Sequence, residues 1–489
     1  MLIVDKIKSL LKAEDGTILV FWGVSFAVLF GIIAMSFDVG RVSATRSELQ
    51  SYADHVALAA AGELDGNADS ITRAISAAST LISDTQTYGN GAKTLSGSTN
   101  YGLTFYASLP ASDTASVAGG ITTDPADAIY ARVEVVPQTV DLTFSAAFSA
   151  LTGNTGVNNN ATAVAIAGFT QYACDITPLM FCIPDPSFSA DDPDTVGDMI
   201  LLRSGGSGAA WGPGDFGFLD PGGFKIDGSG PCSGLTGANL TKCLIGAENN
   251  ITQCFAQRGV ETEPGQKVGI ENAAFNVRFD IYAASMSGKK VDADYQPAPN
   301  VIKGKVPLGG GSCIGNSDEA SPDTVGLPQD DCFAAGTCSR IGDGNWSIGR
   351  ANYVAMNYGG TDPHPAATTR YAYYKAEIDA AGGGFVSTDI LNGRAETGRP
   401  MCSTNQSADP KRRVVIAAGI DCAANPINGH ETNVPVQEFV ELFITEPVGS
   451  DASSPPTFDF WVEVIGSAGG GGGSTGSSGI FHDVVQLYR

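Results

Sequence analysis

The sequence predicts an α+β protein in which a transmembrane helix continues as an amphipathic helix with a small antiparallel sheet, followed by a mainly β, disulfide-rich exterior domain. Three observations predict it. Ile18 to Phe37 is a run of twenty residues without a charge, and at about 1.5 Å per residue a helix of that length spans about 30 Å, the thickness of a bilayer's hydrocarbon core. Several later segments alternate apolar and polar residues, the mark of strands with one buried face. All ten cysteines lie after the apolar run, beyond Phe169.

Residues 1–16 read as a cytoplasmic N-terminus and 17–37 as the anchor. The apolar run is longer than the roughly 7–15 residues of a cleavable signal's core, and Ser36-Phe37-Asp38 does not form a small-x-small cleavage site, so an uncleaved anchor is expected. Lys6, Lys8 and Lys12 precede it and Arg41 and Arg46 follow it, a thin positive-inside bias. The cysteines speak more clearly. Cys174, Cys182, Cys232, Cys243, Cys254, Cys313, Cys332, Cys338, Cys402 and Cys422 are even in number and contain no C-x-x-C knuckle, a pattern suited to disulfides in an oxidising compartment. A single-pass protein with a cytoplasmic N-terminus is expected, its bulk outside the cytosol, in a periplasm if the cell is a bacterium. Within the anchor, Gly23, Ala27 and Gly31 recur every four residues, so one stripe of small side chains permits close helix packing; Gly and Ala relieving crowding among Phe21, Trp22, Phe26 and Phe30 is the alternative.

Residues 38–169 form the next domain. Val39, Val42, Leu49, Tyr52, Val56 and Ala59/Ala60 recur at helical steps with Arg41, Arg46, Glu48, Asp54 and His55 between them, and no helix breaker separates them from the anchor. One helix therefore leaves the membrane and becomes amphipathic. A second is expected over Ala68 to Ser83, with Ile71, Ile75, Ala78 and Ile82 on one stripe. Tyr101–Leu109, Ala128–Val136, Gln138–Leu151 and Asn158–Phe169 alternate and read as strands. A long helix followed by a small antiparallel sheet is the outline of a pilin subunit.

The stretch FDVGRVSATRSELQSYADHVALAAA resembles the N-terminal domain of TadE/TadG-type proteins of the Tad (tight adherence), or Flp, pilus system, through Asp38, Gly40, Arg41, Leu49, Gln50, Ala53, Asp54 and the run Ala57 to Ala61. CDITPLMFC, WGPGDFGFLD and the closing KRRVVIAAGIDC are similar to the larger TadG-like members of alphaproteobacteria. The resemblance implies a pilin-like, non-enzymatic envelope component whose partners are the inner membrane and other Tad assembly proteins or pilins. One feature departs from type IV prepilins, which are cut after a Gly with Glu at the fifth position beyond. Phe21 stands at that distance from Gly16, which implies an anchored assembly factor rather than a processed pilin.

Residues 170–489 form the exterior domain, built from short strands broken by Gly, Pro and Asp, with no repeat of solenoid or propeller period. The cysteine spacing, eleven residues twice and six once, predicts local loops closed by disulfides whose pairing stays open. Gly466 to Gly479 is a glycine-serine tract, and the strands expected at Phe458–Ile465 and Ile480–Arg489 are read as an antiparallel pair joined by it.

Composition excludes some functions. With 28 Lys+Arg against 52 Asp+Glu the balance is −24, which repels nucleic acid. G-x-S-x-G at Gly472 to Gly476 lies inside the glycine-serine tract, without the strand and helix a nucleophile elbow needs, and His55, His364, His430 and His482 sit in no acid/base motif. No catalysis and no cofactor are expected. Asp185, Ser187 and Ser189 fit D-x-S-x-S, whose hard oxygens suit Mg²⁺ or Ca²⁺, but Pro184 and Pro186 bracket the Asp and no helix pattern follows, which favours a polar turn. Asp191, Asp192, Asp194 and Asp198 add an acidic loop in which Ca²⁺ is an alternative to plain solvation. The function expected is a membrane-anchored structural or assembly component of a Tad/Flp pilus; the alternative is an anchored surface adhesin or binding module, with or without a divalent cation.

Overall fold

The computed structural model describes residues 17–87, 91, 93–109, 119–144, 160–174, 176–204, 211–220, 230–248, 254–256, 259–263, 271–301, 304–306, 320–383, 390–391, 402–450, 458–468 and 481–488. The chain divides into two compact units: residues 1–169 with 484–489, and residues 170–483.

The first unit is built on α1, Thr17–Ala61, 45 residues without interruption. Its glycines occur in and just beyond the apolar half, where a bilayer tolerates them. The helix ends where Gly62 follows and Gly66 adopts φ 88°, reversing the chain. α2, Ser70–Thr80, then packs Ala74 and Ala78 onto α1. Arg73 of α2 fixes the turn between the helices, meeting Glu63 at 2.9 Å and also Asp65 and Asp69. Beyond α2, β1 (Ser83–Gln86) and β2 (Lys93–Ser96) pair antiparallel.

The main sheet of this unit consists of β3 (Tyr101–Tyr106), β4 (Tyr130–Val135) and β7 (Val164–Cys174), with β5 (Gln138–Thr139) and β6 (Asn160–Ala161) as a separate short ladder. Tyr101 opposes Val135 on β3 and β4, and Tyr130 opposes Gly168 on β4 and β7, all antiparallel. Alternation on β4 is strict. Ala131, Val133 and Val135 are buried, while Arg132 and Glu134 point away and pair at 2.9 Å. The buried side of the sheet lies on Leu49, Tyr52, Ala53, Val56, Ala57 and Ala60 of α1, so small residues bring the helix axis close to the strands.

The second unit is mostly β and centres on a closed barrel. Its strands are β8 (Leu179–Cys182), β9 (Met199–Ser204), β10 (Asp215–Leu219), β13 (Val414–Ile420), β14 (Glu438–Ile444) and β16 (Phe458–Ser467). The ring runs β10-β8-β13-β14-β16-β9 and back to β10, because β9 pairs with both β10 and β16. The β8/β13 and β9/β10 pairs are parallel and the rest antiparallel. Alternate residues fill the interior: Leu179 and Phe181, Ile200 and Leu202, Phe216 and Phe218, Val415 and Ala417, Val440 and Leu442, Phe460 and Val462. The residues between them are covered from outside. Met180, Cys182, Ala418 and Ile420 belong to a second apolar cluster, and Phe443 joins Trp346, Tyr353, Tyr373 and Tyr374 in a third. This double burial explains why these strands read as continuous apolar runs.

The short strands β11 (Cys254–Ala256), β12 (Thr262–Glu263) and β15 (Gly449–Ser450) extend the sheets, and the α-helices among the described residues of this unit are α3 (Gly237–Gly246), α4 (Glu271–Asn276), α5 (Asp331–Ala334), α6 (Ser347–Tyr358) and α7 (Arg370–Ala380).

Two expectations are corrected. The last strand, β17 (Phe481–Leu487), does not pair with β16; it pairs with β7 in the sheet of the first unit. Both edges of β16 are taken by barrel closure, and a tract as long as Gly466 to Gly479 imposes no hairpin of the kind that two- to five-residue loops enforce. The disulfides are not all local. Cys232–Cys243 and Cys332–Cys338 close short loops, but Cys182–Cys422 joins residues 240 apart, clamping the ends of β8 and β13. Cys174 and Cys402 are also disulfide-bonded. Cys313 and the G-x-S-x-G tract lie outside the described residues, as does the Cys254 side chain.

Candidate functional site

The feature that most constrains function is α1. From Leu19 to Met35 its large apolar side chains are exposed: Leu19 to 79% and Met35 to 69%. Such a surface is tolerable only in an apolar medium. It is the one helix among the described residues long and apolar enough to cross a membrane. Gly23 and Gly31 have no heavy atom within 4 Å of where a Cβ would stand, so the stripe they form with Ala27 is open to a neighbour.

The change of character occurs at Asp38. Its side chain is 3% exposed and accepts a hydrogen bond from the Phe144 amide at 3.4 Å, while the Phe37 and Phe144 rings meet edge to face at 6.0 Å. One turn on, Arg41 Nη1 donates to Thr143 Oγ1 at 3.2 Å. Gln50 then ties the helix to the sheet, donating to Asp54 Oδ1 at 2.8 Å and to the Val164 carbonyl at 3.0 Å. Of the residues that resemble the family motif, Gln50 holds the stem to β7, Asp54 accepts from Gln50 on the same helix, and Asp38 and Arg41 hold the stem to Phe144 and Thr143. Beside them Ile32, Ile33, Ser36, Phe37, Gly40, Arg41 and Ala44 line an apolar groove.

The oxygen-rich candidates in the second unit form turns. Asp185 Oδ1 accepts from the Ser187 amide at 2.8 Å and from its hydroxyl, and these bonds, hydroxyl first, hold the exposed carboxyl below its ordinary range. Ser189 is exposed, and its carbonyl accepts from the Asp192 amide at 3.2 Å. Asp192 Oδ1 accepts from the Asp194 amide at 3.0 Å, and Asp191 Oδ1 from the Ser467 amide at 3.3 Å. Asp198 differs. Burial, then the charges of Asp330 and Asp343, push its carboxyl up to about 7.

Sequence reasoning missed the buried network next to Asp198. The side chains of Arg370, Asp330 and Glu463 are 0% exposed. Arg370 donates to the carbonyls of Pro328 at 2.6 Å and Gly197 at 3.2 Å, to Glu463 at 3.2 Å and to Asp330. Glu463 also accepts the amides of Arg370 and Tyr371 at 2.8 and 2.7 Å, capping the N-terminus of α7 where a carboxylate is stabilised. Asp330 Oδ2 accepts the amides of Met199, Asp343 and Gly344 at 3.0–3.1 Å. Asp330, Cys332 and Asp343 bring ligand atoms within 4.8 Å of one another, but Cys332 is bonded to Cys338 and offers no thiolate. No periodicity or spacing marks these charged residues as buried. Of the histidines, His55 is exposed, His364 lies edge-on to Tyr358 and Tyr373 with its pKa lowered by burial, and His430 Nδ1 is 2.8 Å from the Thr262 carbonyl.

A bare apolar half-helix continuing into a helix-on-sheet unit, followed by a mostly β unit with disulfides, defines a membrane-anchored α+β protein. Residues 16–63 match the Tad family model, TadE/G-like Flp pilus assembly, so α1 from its first turn to its end is a Tad domain. The match is confined to this stretch and supports a Tad/Flp pilus-associated, membrane-anchored component. No curated protein and no solved structure matches it.

Proposed function

We propose that the chain is a structural and assembly component of a Tad/Flp adhesive pilus, anchored in the bacterial inner membrane through Ile18–Phe37 with its N-terminus cytoplasmic and its bulk in the periplasm. The observation that carries this reading is the coincidence of the Tad match with α1, whose first half is bare and whose second half is the core of the first unit. The orientation is supported by cysteine bonding: all the cysteines follow the anchor and none of those described is free, as suits an oxidising compartment. In this reading the protein works by holding and contacting other Tad proteins or pilins, not by chemistry, and Gly23, Ala27 and Gly31 are the face on which another anchor helix packs.

The test is deletion of the gene in its native host, with pili counted by electron microscopy and attachment measured in parallel. Loss of pili, restored by the full chain and not by one whose residues 17–37 are replaced with a cleavable signal peptide, is expected. Normal pili with lost attachment would move the assignment to a surface adhesin.

A further inference from the structure

The sheet of the first unit is completed by a strand from far along the chain. Along one edge, β7 pairs with β4 from Val164 to Gly168. On its other edge it receives β17, with the Tyr488 amide donating to the Ile166 carbonyl at 2.8 Å. Residues 484–489 accordingly belong to the first unit although residues 170–483 form the second.

The slot is shaped for its strand. Val485 packs against the core beside Gly62, where a Cβ would lie 3.8 Å from Val485 Cγ2. Tyr488 meets Tyr130 edge to face at 5.1 Å, above Gly168. A Cβ at Gly168 would stand 2.6 Å from Tyr130 Cδ1 and 2.8 Å from Tyr488 Cε2, so only glycine lets both rings close over β7. The strand's hold is nonetheless light. Val485 is the described side chain that enters the core, while Val484, Leu487 and Tyr488 remain 38%, 43% and 37% exposed. Residues 466–479, which precede the strand, consist of Gly, Ser, Ala and Thr alone.

We propose that β17 is an exchangeable strand and that the slot on β7 is an interaction surface for β17 of a second copy of this chain. Exchange makes the same hydrogen bonds and the same Val485 and Tyr488 contacts in trans as in cis, so contact energy does not choose between them. The choice falls to concentration: the tethered strand's own effective concentration against that of neighbouring copies. Exchange requires no membrane. Anchoring through α1, as read above, favours it by crowding copies into one plane. A ring or chain of copies, each completing the next one's sheet, is the assembly it produces, a form of strand addition with specificity from the Val485 and Tyr488 positions.

The test uses the full chain in detergent micelles. Gly62→Cys and Val485→Cys are placed in one chain, or in two differently tagged chains that are co-expressed, and crosslinks are mapped by mass spectrometry after mild oxidation. The doubly substituted chain is expected to form a 62–485 bond. The mixed chains are expected to give a covalent heterodimer joined 62–485, with yield rising with protein concentration, and Gly168→Val is expected to abolish both products. A doubly substituted chain that closes only on itself, with no heterodimer in the mixed sample at any concentration, overturns the exchange. Failure of the doubly substituted chain to form the bond at all overturns the slot.

Discussion

Replacing Arg370 with Met tests whether the second unit depends on its buried charge network. Methionine keeps most of the apolar stem, so the perturbation is chiefly electrical. Arg370, Asp330 and Glu463 are fully buried, and the substitution leaves two carboxylates without their cation and the Pro328 and Gly197 carbonyls without their donor. Removing one partner of a buried ion pair costs about 3–5 kcal/mol; with two acids orphaned here, the upper end is expected. The assay is urea unfolding followed by tryptophan fluorescence. Trp346 is 4% exposed and lies 5.1 Å from the Arg370 guanidinium, so it reports on this region. The sign with pH is fixed as well. Burial raises the Glu463 carboxyl above its ordinary range and Arg370 opposes that rise. Without Arg370 the folded-state pKa climbs further, so the acid's contribution, present at low pH, is lost as pH rises through it. The stability deficit of the variant therefore grows as pH rises above the ordinary glutamate pKa of about 4.3. A loss under about 1 kcal/mol, or one that does not change with pH, would refute the reasoning.

Three further outcomes follow from the same structure. Replacing Cys182 and Cys422 by serine is expected to cost about 5 kcal/mol on the chain-entropy model, against about 2 kcal/mol for Cys332 and Cys338, because the loops closed are 240 and 6 residues long; equal losses in denaturant titrations would exclude loop closure as the cause. Burial pushes the Glu446 carboxyl up to about 7, so its contribution, present below its ordinary pKa of about 4.3, is lost as pH rises through about 7; thermal melts of Glu446→Gln should lack that decline, and an unchanged pH profile would show that Glu446 is not its source. Alkaline phosphatase fused after residue 170 should be active in a bacterial host, whereas inactivity would reverse the proposed orientation.

What the sequence determined by itself is the anchor, the stem and the class of fold. An uncharged run and a helical stripe are set by residues three or four positions apart, so Ile18–Phe37 and the Leu49, Tyr52 and Val56 face declare α1 without reference to anything distant. The strict alternation of Ala131, Val133 and Val135 likewise declares β4. The polar turn at Asp185 was legible too, because prolines on both sides shape it locally. The barrel was not. Its strands are covered on both faces and lose their alternation, and closure depends on β9 finding β10 on one side and β16 on the other. Cys182–Cys422 follows from the β8/β13 pairing rather than from spacing. Arg370, Asp330 and Glu463 look like ordinary surface charges until α7, the loop before α5 and β16 enclose them. Tertiary structure alone sent β17 to β7, since strand choice rests on which edge is vacant and which core has room for Val485, facts that belong to the assembled sheet and to no stretch of sequence.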